Sequence, residues 1–497
     1  MSNTLYNEQY RPQYHVTPKE NWLNDPNGMV YYKGEYHLFF QLDPTTKFPG
    51  VAKWWGHVAS KDMAHWEDRP IALAPDKYGS MWSGSAVVDF NNSSGLFDDS
   101  EDKTGLVAFY TVTTDDCSSQ QQALAYSKDN GNTWIKYNDG APIITYKDDP
   151  CEEPNQFRDP KVFWHAEGNK WIMVVAGGPV RFYSSTDLLT WTIESTNRDI
   201  NTECPDFFCL PVDNDNNNKK WVLSGCGVWY MLGDFKEIDG KFSFVPDTGE
   251  RIRFNYAPDV YAAQTFSDVP DGRRIKVDWM VDVGYVMETG EITDPWNGAL
   301  TLPYELGLKT VDDKIVLTQK PVKELYALRF DTKSFSDVKV NESSDNLLAG
   351  EKLDNYEITA TIDVGTAEEF GFNLFVGQEE YTKISYTAAT NTLTIDRTKS
   401  GKSPKPEFLS AYSAKILPTS NKIELHMFVD RSSIELFAQD GAYPFTALVY
   451  PDLASTGLEF YAKGGEVTVD SMNLHYLESI YDSQNRMNSA WVKAKNK

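Results

Sequence analysis

The sequence predicts an all-β chain in two parts, a β-propeller followed by a β-sandwich, and three observations carry that reading. The first is a recurring turn. Ser60-Lys61-Asp62 precedes Trp66, Ser127-Lys128-Asp129 precedes Trp134, and Ser185-Thr186-Asp187 precedes Trp191. Each copy follows a short apolar or aromatic run, and the copies lie roughly sixty residues apart, the spacing of radially repeated β-units. The second is the run of short β-favouring segments at 107–112, 171–175 and 275–279, bounded by turn residues such as Gly177-Gly178, Asp239-Gly240 and Asp271-Gly272. The first two are continuous, mostly apolar runs, as strands buried on both faces are, and no long helical pattern interrupts the series. The third is a change of character past residue 345. Tyr356, Ile358, Ala360 and Ile362, then Ile423, Leu425, Met427 and Val429, alternate with residues that are polar except for Phe428, and a period of two predicts sandwich strands with one buried face.

These signals divide the chain into a propeller over 1–320, a linker over 321–340 with one short helix at 321–329, and a sandwich over 341–497. From about Ser479 the residues are polar and read as an added helix or a loose tail. A chain of 497 residues is long for a single core, which agrees with two domains.

Composition narrows the function. A formal net charge of -25 repels both a nucleic-acid backbone and an anionic membrane, so neither is expected as a partner. Aromatic residues make up 13% of the chain, and their flat apolar faces suit a neutral sugar. No apolar run approaches the ~18 residues of a membrane span. Residues 1–20 carry no signal-peptide core, which implies a cytoplasmic protein if Met1 is the natural start and an extracellular one if a leader has been removed. The five cysteines are too few and too scattered for a disulfide framework. Asp213-Asn214-Asp215 begins like a calcium loop, but Asn218 and Ser224 stand where Gly and Glu are required, so it reads as a polar hairpin tip. The histidines lack zinc-ligand spacing, and neither a phosphate loop nor a Gly-x-Ser-x-Gly elbow occurs. No metal or cofactor is expected.

Three carboxylates share a context. Asp25 sits in Asn24-Asp25-Pro26-Asn27-Gly28, ahead of two strands joined at Lys33-Gly34. Pro26 fixes φ, and Asn and Gly tolerate unusual backbone angles. Asp25 is therefore expected in a rigid turn, where it either closes an Asx-turn or serves chemistry. Asp159 follows Arg158 and precedes Pro160 and an apolar run, and Glu203 lies in Thr202-Glu203-Cys204-Pro205-Asp206, just before Phe207-Phe208. All three are expected at strand mouths near a propeller axis. Glycoside hydrolysis uses two carboxyl groups, one protonated and one ionised. Cys204, Phe207 and Phe208 predict an apolar setting for Glu203, which suits a proton donor. Backbone N–H groups of a turn predict that Asp25 stays ionised and suits a nucleophile.

With these residues in hand, the chain resembles glycoside hydrolase family 32, the β-fructofuranosidases that include invertases, exo-inulinases and levanases. The resemblance runs through 22–28, Gln41 before Pro44, Trp55-Gly56-His57, Ser83-Gly84-Ser85, 157–160, 203–206, Tyr261-Ala262-Ala263-Gln264 and 428–433 in order. It implies a five-bladed propeller and a C-terminal sandwich. It implies Asp25 as nucleophile, Glu203 as acid/base, and Asp159, held by Arg158, as the group that binds fructose hydroxyls and stabilises the transition state. Asn24, Gln41, Trp55, Ser83 and Asp206 match positions lining the fructose pocket, and Trp82 and Arg158 are expected to bind substrate beside them. The implied substrates are sucrose, fructooligosaccharides and fructan ends, with retention of configuration, carboxyls ~5–5.5 Å apart, and transfer to a sugar acceptor open to the same intermediate. Sandwich domains in the family sometimes pair, so a homo-oligomer is among the expectations.

The chain departs from the pattern at Leu42-Asp43, at Phe48-Pro49-Gly50 where Trp-Gly is usual, at Trp82 where Phe is more familiar, and at Tyr304 where Arg is usual. These changes are expected around the pocket mouth, with Trp82 or Phe48 touching the leaving-group sugar or the fructose edge. Two other readings stand beside this one: a non-catalytic sugar-binding propeller, which needs no paired carboxylates, and an inverting arabinan-cleaving enzyme, which needs a wider carboxyl separation.

Overall fold

The structure, a computed structural model, describes residues 6–481. Its first part is a ring of antiparallel meanders. Blade I comprises Asn21–Tyr32, Glu35–Asp43, Trp54–Ser60 and Glu67–Asp68, and blade II comprises Ser80–Val88, Leu106–Thr113, Gln120–Ser127 and Ile135–Lys136. Blade III comprises Arg158–His165, Lys170–Ala176, Gly178–Ser185 and Thr192–Thr202, and blade IV comprises Pro205–Val212, Asp215–Gly225, Trp229–Ile238 and Lys241–Pro246. Blade V comprises Tyr261–Thr265, Arg274–Met280, Tyr304–Val311 and Lys314–Pro321. The first strands of the five blades touch in cyclic order, and that of blade V returns to that of blade I. The ring therefore closes at five. A short strand, Trp296–Asn297, fastens the closure by pairing in parallel with Asn21 and Trp22.

The repeated turn has a fixed place in this ring. Ser60, Ser127 and Ser185 each end the third strand of a blade. Each Ser hydroxyl donates to the Asp two residues on. That Asp then accepts backbone N–H groups of the turn: from Ala64 and His65, from Thr133, and from Leu189 and Thr190. The Trp that follows packs on the second strand of the preceding blade. Trp134 meets Phe39 edge-on at 5.4 Å, Trp191 meets Phe109 at 5.7 Å, and Trp66 packs on the cluster holding Ile275 and Val277. One local motif thus turns the chain and wedges adjacent blades. The strand Leu106–Thr113 is buried along its whole length, as expected for a sheet covered on both faces.

The second part stacks a six-stranded sheet on a five-stranded one. Ile358, Ile362, Ile423, Met427 and Val429 fill the space between them, as their alternation predicts. One expectation is corrected. The linker over 321–340 is divided: Lys323–Leu328 is a short 3-10 helix, while Arg329–Val340 is an edge strand of the six-stranded sheet, paired along its length with Val467–Leu477. The tail expected from Ser479 is docked as far as it is described. Ile480 N–H donates to the Gln13 carbonyl, and Tyr481 stacks on Tyr6 and donates to the His15 carbonyl. Residues 482–497 lie outside the described residues.

A buried polar cluster joins the two parts. His15 lies between Asp430, at 2.8 Å, and Glu435. Asp430 also accepts the N–H groups of Gln13 and Tyr14. Glu435 accepts Leu302 N–H and the Tyr304 hydroxyl. Tyr304 was expected near the pocket mouth; it is instead fully buried in this joint, where its hydroxyl satisfies a carboxylate that has no access to water.

Burial alone would lower the His15 pKa, but Glu435 and Asp430 outweigh it and carry it to about 9. A histidine whose folded pKa lies above its unfolded value of about 6.5 adds stability that is complete below about 6.5 and is lost as pH rises through about 9. Denaturant titrations are expected to show this contribution as about 3 kcal/mol of unfolding free energy lost between pH 6.5 and 9 relative to His15→Gln.

Candidate active site

Each blade sends the start of its innermost strand, or the residue just ahead of it, toward one cavity of about 480 Å³. Asn24 and Asp25 come from blade I, Trp82 and Ser83 from blade II, and Arg158 and Asp159 from blade III. Glu203 and Cys204 precede the first strand of blade IV, and Tyr261 opens that of blade V.

Asp25 does not sit in a turn, as expected, but inside the strand Asn21–Tyr32, where the pairing register slips between Leu23 and Pro26. Such a bulge re-aims side chains without ending the strand. Gly28 lets the strand pass: its φ is +53°, and a Cβ there would lie 2.7 Å from both Phe39 and Trp55. A chain of donors then runs through the floor. Trp22 Nε1 donates to Asn24 Oδ1 at 2.7 Å, and the Asn24 amide donates to Gln41 Oε1 at 2.9 Å and Asp25 Oδ1 at 3.0 Å. Gln41 donates to the Ser83 hydroxyl, which donates to Asp25 Oδ2 at 2.6 Å. Side chains, not turn N–H groups, therefore hold Asp25. Burial raises its pKa, donors from Ser83, Asn24 and Cys204 oppose the rise, and the charge of Glu203 adds to it.

Asp159 is held in the left-handed region at φ +63°, a strained position that Asp tolerates better than most residues. Its N–H donates to Thr111 Oγ1 at 2.8 Å, and its carboxylate accepts Cys204 N–H at 2.9 Å. Burial raises its pKa to about 7. Arg158 opposes the shift, as does the Cys204 N–H, while Asp25 and Glu203 add to it. The Cys204 thiol touches both acids, 3.3 Å from Asp25 and 3.6 Å from Asp159.

Glu203 differs from the expectation. Phe207 packs with Phe182 and Trp221 between blades III and IV, while Phe208 turns to the opposite face of the strand. Period-two alternation sends both rings into blade cores and leaves Glu203 among polar groups. Its side chain, 43% exposed, pairs with Arg158 Nη2 and accepts the Tyr261 hydroxyl at 2.8 Å. Arg158 also lies 3.7 Å from Asp159 and donates to Gln120 Oε1 at 3.1 Å. Gly177, at φ +84°, makes room for it, since a Cβ there would lie 2.7 Å from the arginine stem.

The cavity thus gathers Asp25, Asp159, Glu203, Asn24, Gln41, Trp82, Ser83 and Arg158. Two expected pocket residues lie elsewhere. Trp55 is buried behind the wall, its Nε1 donating to the Trp82 carbonyl. Asp206 is buried between blades, paired with Lys161 at 3.3 Å and accepting Thr265 N–H, so it ties blades III, IV and V together. Of the two rim candidates, Trp82 lines the cavity; Phe48 does not, although Pro49 and Gly50 do. The site also holds residues given no role from sequence: Tyr261, Cys204, Gln120, Trp279 and Lys53. Tyr261 stood in a motif and Cys204 beside Glu203, so a signal existed for both. Among the described residues no group of three or more His, Cys, Asp or Glu side chains is arranged to hold a metal ion, and no helix is long and apolar enough to cross a membrane.

A five-bladed ring with three carboxylates around a cavity at its axis, followed by a sandwich, has the architecture of a glycoside hydrolase. The chain belongs to glycosyl hydrolases family 32: the family's N-terminal domain matches residues 15–321 and its C-terminal domain 324–476. It is 41% identical to a levanase of Bacillus subtilis over 96% of its own length and 72% of the relative's. It is 32% identical to an extracellular exo-inulinase of Aspergillus niger, with 96% of each chain covered. The crystal structure of an exo-inulinase from Aspergillus awamori superposes with a TM-score of 0.85 at 31% identity, covering 96% of this chain and all of that one. Against three bacterial relatives, two levanases and a fructan beta-fructosidase, the chain spans between 34% and 72% of their length.

A carboxylate whose folded pKa stands above its unfolded value costs stability increasingly as pH rises from about 4 to about 7. The Asp159→Asn variant, neutral and of the same shape, is therefore expected to melt at or above the wild-type temperature at pH 8, with the advantage shrinking at pH 5 in calorimetric scans.

Proposed function

We propose that the protein releases terminal β-D-fructofuranosyl units from sucrose, fructooligosaccharides and fructan ends with retention of configuration. The observation that carries this reading is the convergence of Asp25, Asp159 and Glu203, from three different blades, on one cavity. Asp25, fixed by Ser83 and Asn24, attacks the anomeric carbon. Glu203, half exposed and oriented by Tyr261 and Arg158, protonates the leaving oxygen and then takes a proton from water as the fructosyl–Asp25 ester is hydrolysed. Asp159 and its partner Arg158 bind ring hydroxyls, where the buried carboxylate stabilises positive charge developing on the ring. Trp82, at the rim with Pro49 and Gly50, gives the leaving sugar an apolar face. A sugar hydroxyl in place of water gives transfer by the same steps.

Kinetics on sucrose, 1-kestose, inulin and levan test this. Glu203→Gln is expected to lower kcat by roughly 10²–10⁴-fold with KM little changed. Asp25→Asn is expected to lose at least as much, and the first-formed fructose from wild type is the β-anomer by NMR. An Asp25→Asn variant that turns over at the wild-type rate would refute the proposal, as would an inverted product.

A further inference from the structure

The mechanism above leaves one charged side chain of the cavity without a task. Lys53 ends the segment that carries Pro49 and Gly50, and its carbonyl accepts Met81 N–H of blade II, which fixes its backbone at the blade I–II border. The side chain is only 5% exposed and lines the cavity beside Trp22. Its Nζ lies 5.3 Å from the centre of a Trp22 ring and has no hydrogen-bond partner among the described residues. A buried ammonium without an acceptor is costly and is seldom kept for stability alone. The floor around it is otherwise paired, since Asn24, Gln41, Ser83 and Asp25 already bond to one another.

The surrounding charge selects the ligand chemistry. Arg158 is committed to Asp159 and Glu203, and Asp25 and Asp43 are the charged groups acting on Lys53. A phosphate or carboxylate ligand would meet three carboxylates at close range, so an uncharged hydroxyl is the acceptor that fits. The four-carbon stem lets Nζ swing from the Trp22 face toward the cavity. Resting on the fructosidase reading above, we propose that Lys53 is a substrate-binding residue whose ammonium donates a hydrogen bond to a hydroxyl of the fructosyl unit lying beside Trp22. Because that unit is common to every substrate, Lys53 sets affinity for the fructosyl ring rather than choice of leaving group. Burial lowers the Lys53 pKa to about 8, with Asp43 and Asp25 opposing the shift, so the donor is lost in mildly alkaline solution.

D-fructose titrated calorimetrically into the full chain tests this, with Lys53→Met, Lys53→Leu as a second apolar replacement, and each combined with Asp25→Asn. The dissociation constant is expected to rise about tenfold in both variants, the scale of a hydrogen bond from a charged donor. Their melting temperatures are expected to equal or exceed that of wild type, because an unpaired buried charge has been removed. As pH rises through about 8, wild-type affinity is expected to fall, whereas Lys53→Met is expected to keep only the dependence that Asp159 contributes near pH 7. Unchanged fructose affinity in both variants would overturn the inference, as would weaker binding that tracks a lower melting temperature. Binding in the Asp25→Asn background needs no turnover. A protein that binds fructose through Lys53 yet cleaves no fructoside would refute the proposed activity and leave this inference standing.

Discussion

The guanidinium of Arg158, held between Asp159 and Glu203, is the contact on which the site depends. Three carboxylates crowd one small cavity, two of them deep in it, and like charges at such range disfavour one another's ionisation. Arg158 offsets that repulsion on the blade III–IV side, while neutral donors from Asn24, Ser83 and Cys204 do so around Asp25. The residual strain is visible in Asp159, whose carboxyl stays near 7 despite its arginine. The site trades stability for a poised electrostatic field, the bargain expected of catalytic machinery.

What allows the crowding is closure of the ring. Separate blades place the three acids, so no local sequence preference brings them together. Their spacing is set by first strands that touch in cyclic order and by Trp296–Asn297 fastened to Asn21 and Trp22. Buried polar ties complete the frame. Asp206 links blades III, IV and V, and the His15, Asp430 and Glu435 cluster clamps the sandwich to the N-terminal segment at 13–15 and to blade V. Removing one member of such a cluster leaves its partners unpaired away from water, which makes these ties cooperative.

The parts of this architecture that were legible in the sequence are local ones. The Ser-x-Asp turn with its Trp is written in a few consecutive residues, and the alternation at 356–362 and 423–429 needs no knowledge of partners. The acids themselves stood out through their Pro-rich settings. What could not be read depended on direction and on distant neighbours. The motif around Asp25 has a turn's composition but is spent on a bulge within a strand. Phe207 and Phe208 adjoin Glu203 in sequence, yet alternation carries them into two cores. Trp55 and Asp206 belong to motifs of the pocket but serve the wall and the blade joints. Tyr304 replaces an expected arginine in the joint between the two parts and does not line the cavity. Lys53 carries no motif at all, and its meaning lies in an acceptor that the fold does not supply.

In the proposed reaction Asp25 and Glu203, carried by blades I and IV, act on one sugar ring through a covalent intermediate on Asp25. An aryl β-fructofuranoside, whose leaving group departs without a proton, allows the most direct test in the Glu203→Gln variant. Acid-quenching during turnover, followed by peptide mass spectrometry, is expected to place one fructosyl unit on the peptide that holds Asp25. An active variant with that peptide unmodified, or with the sugar on Asp159 instead, would contradict the account.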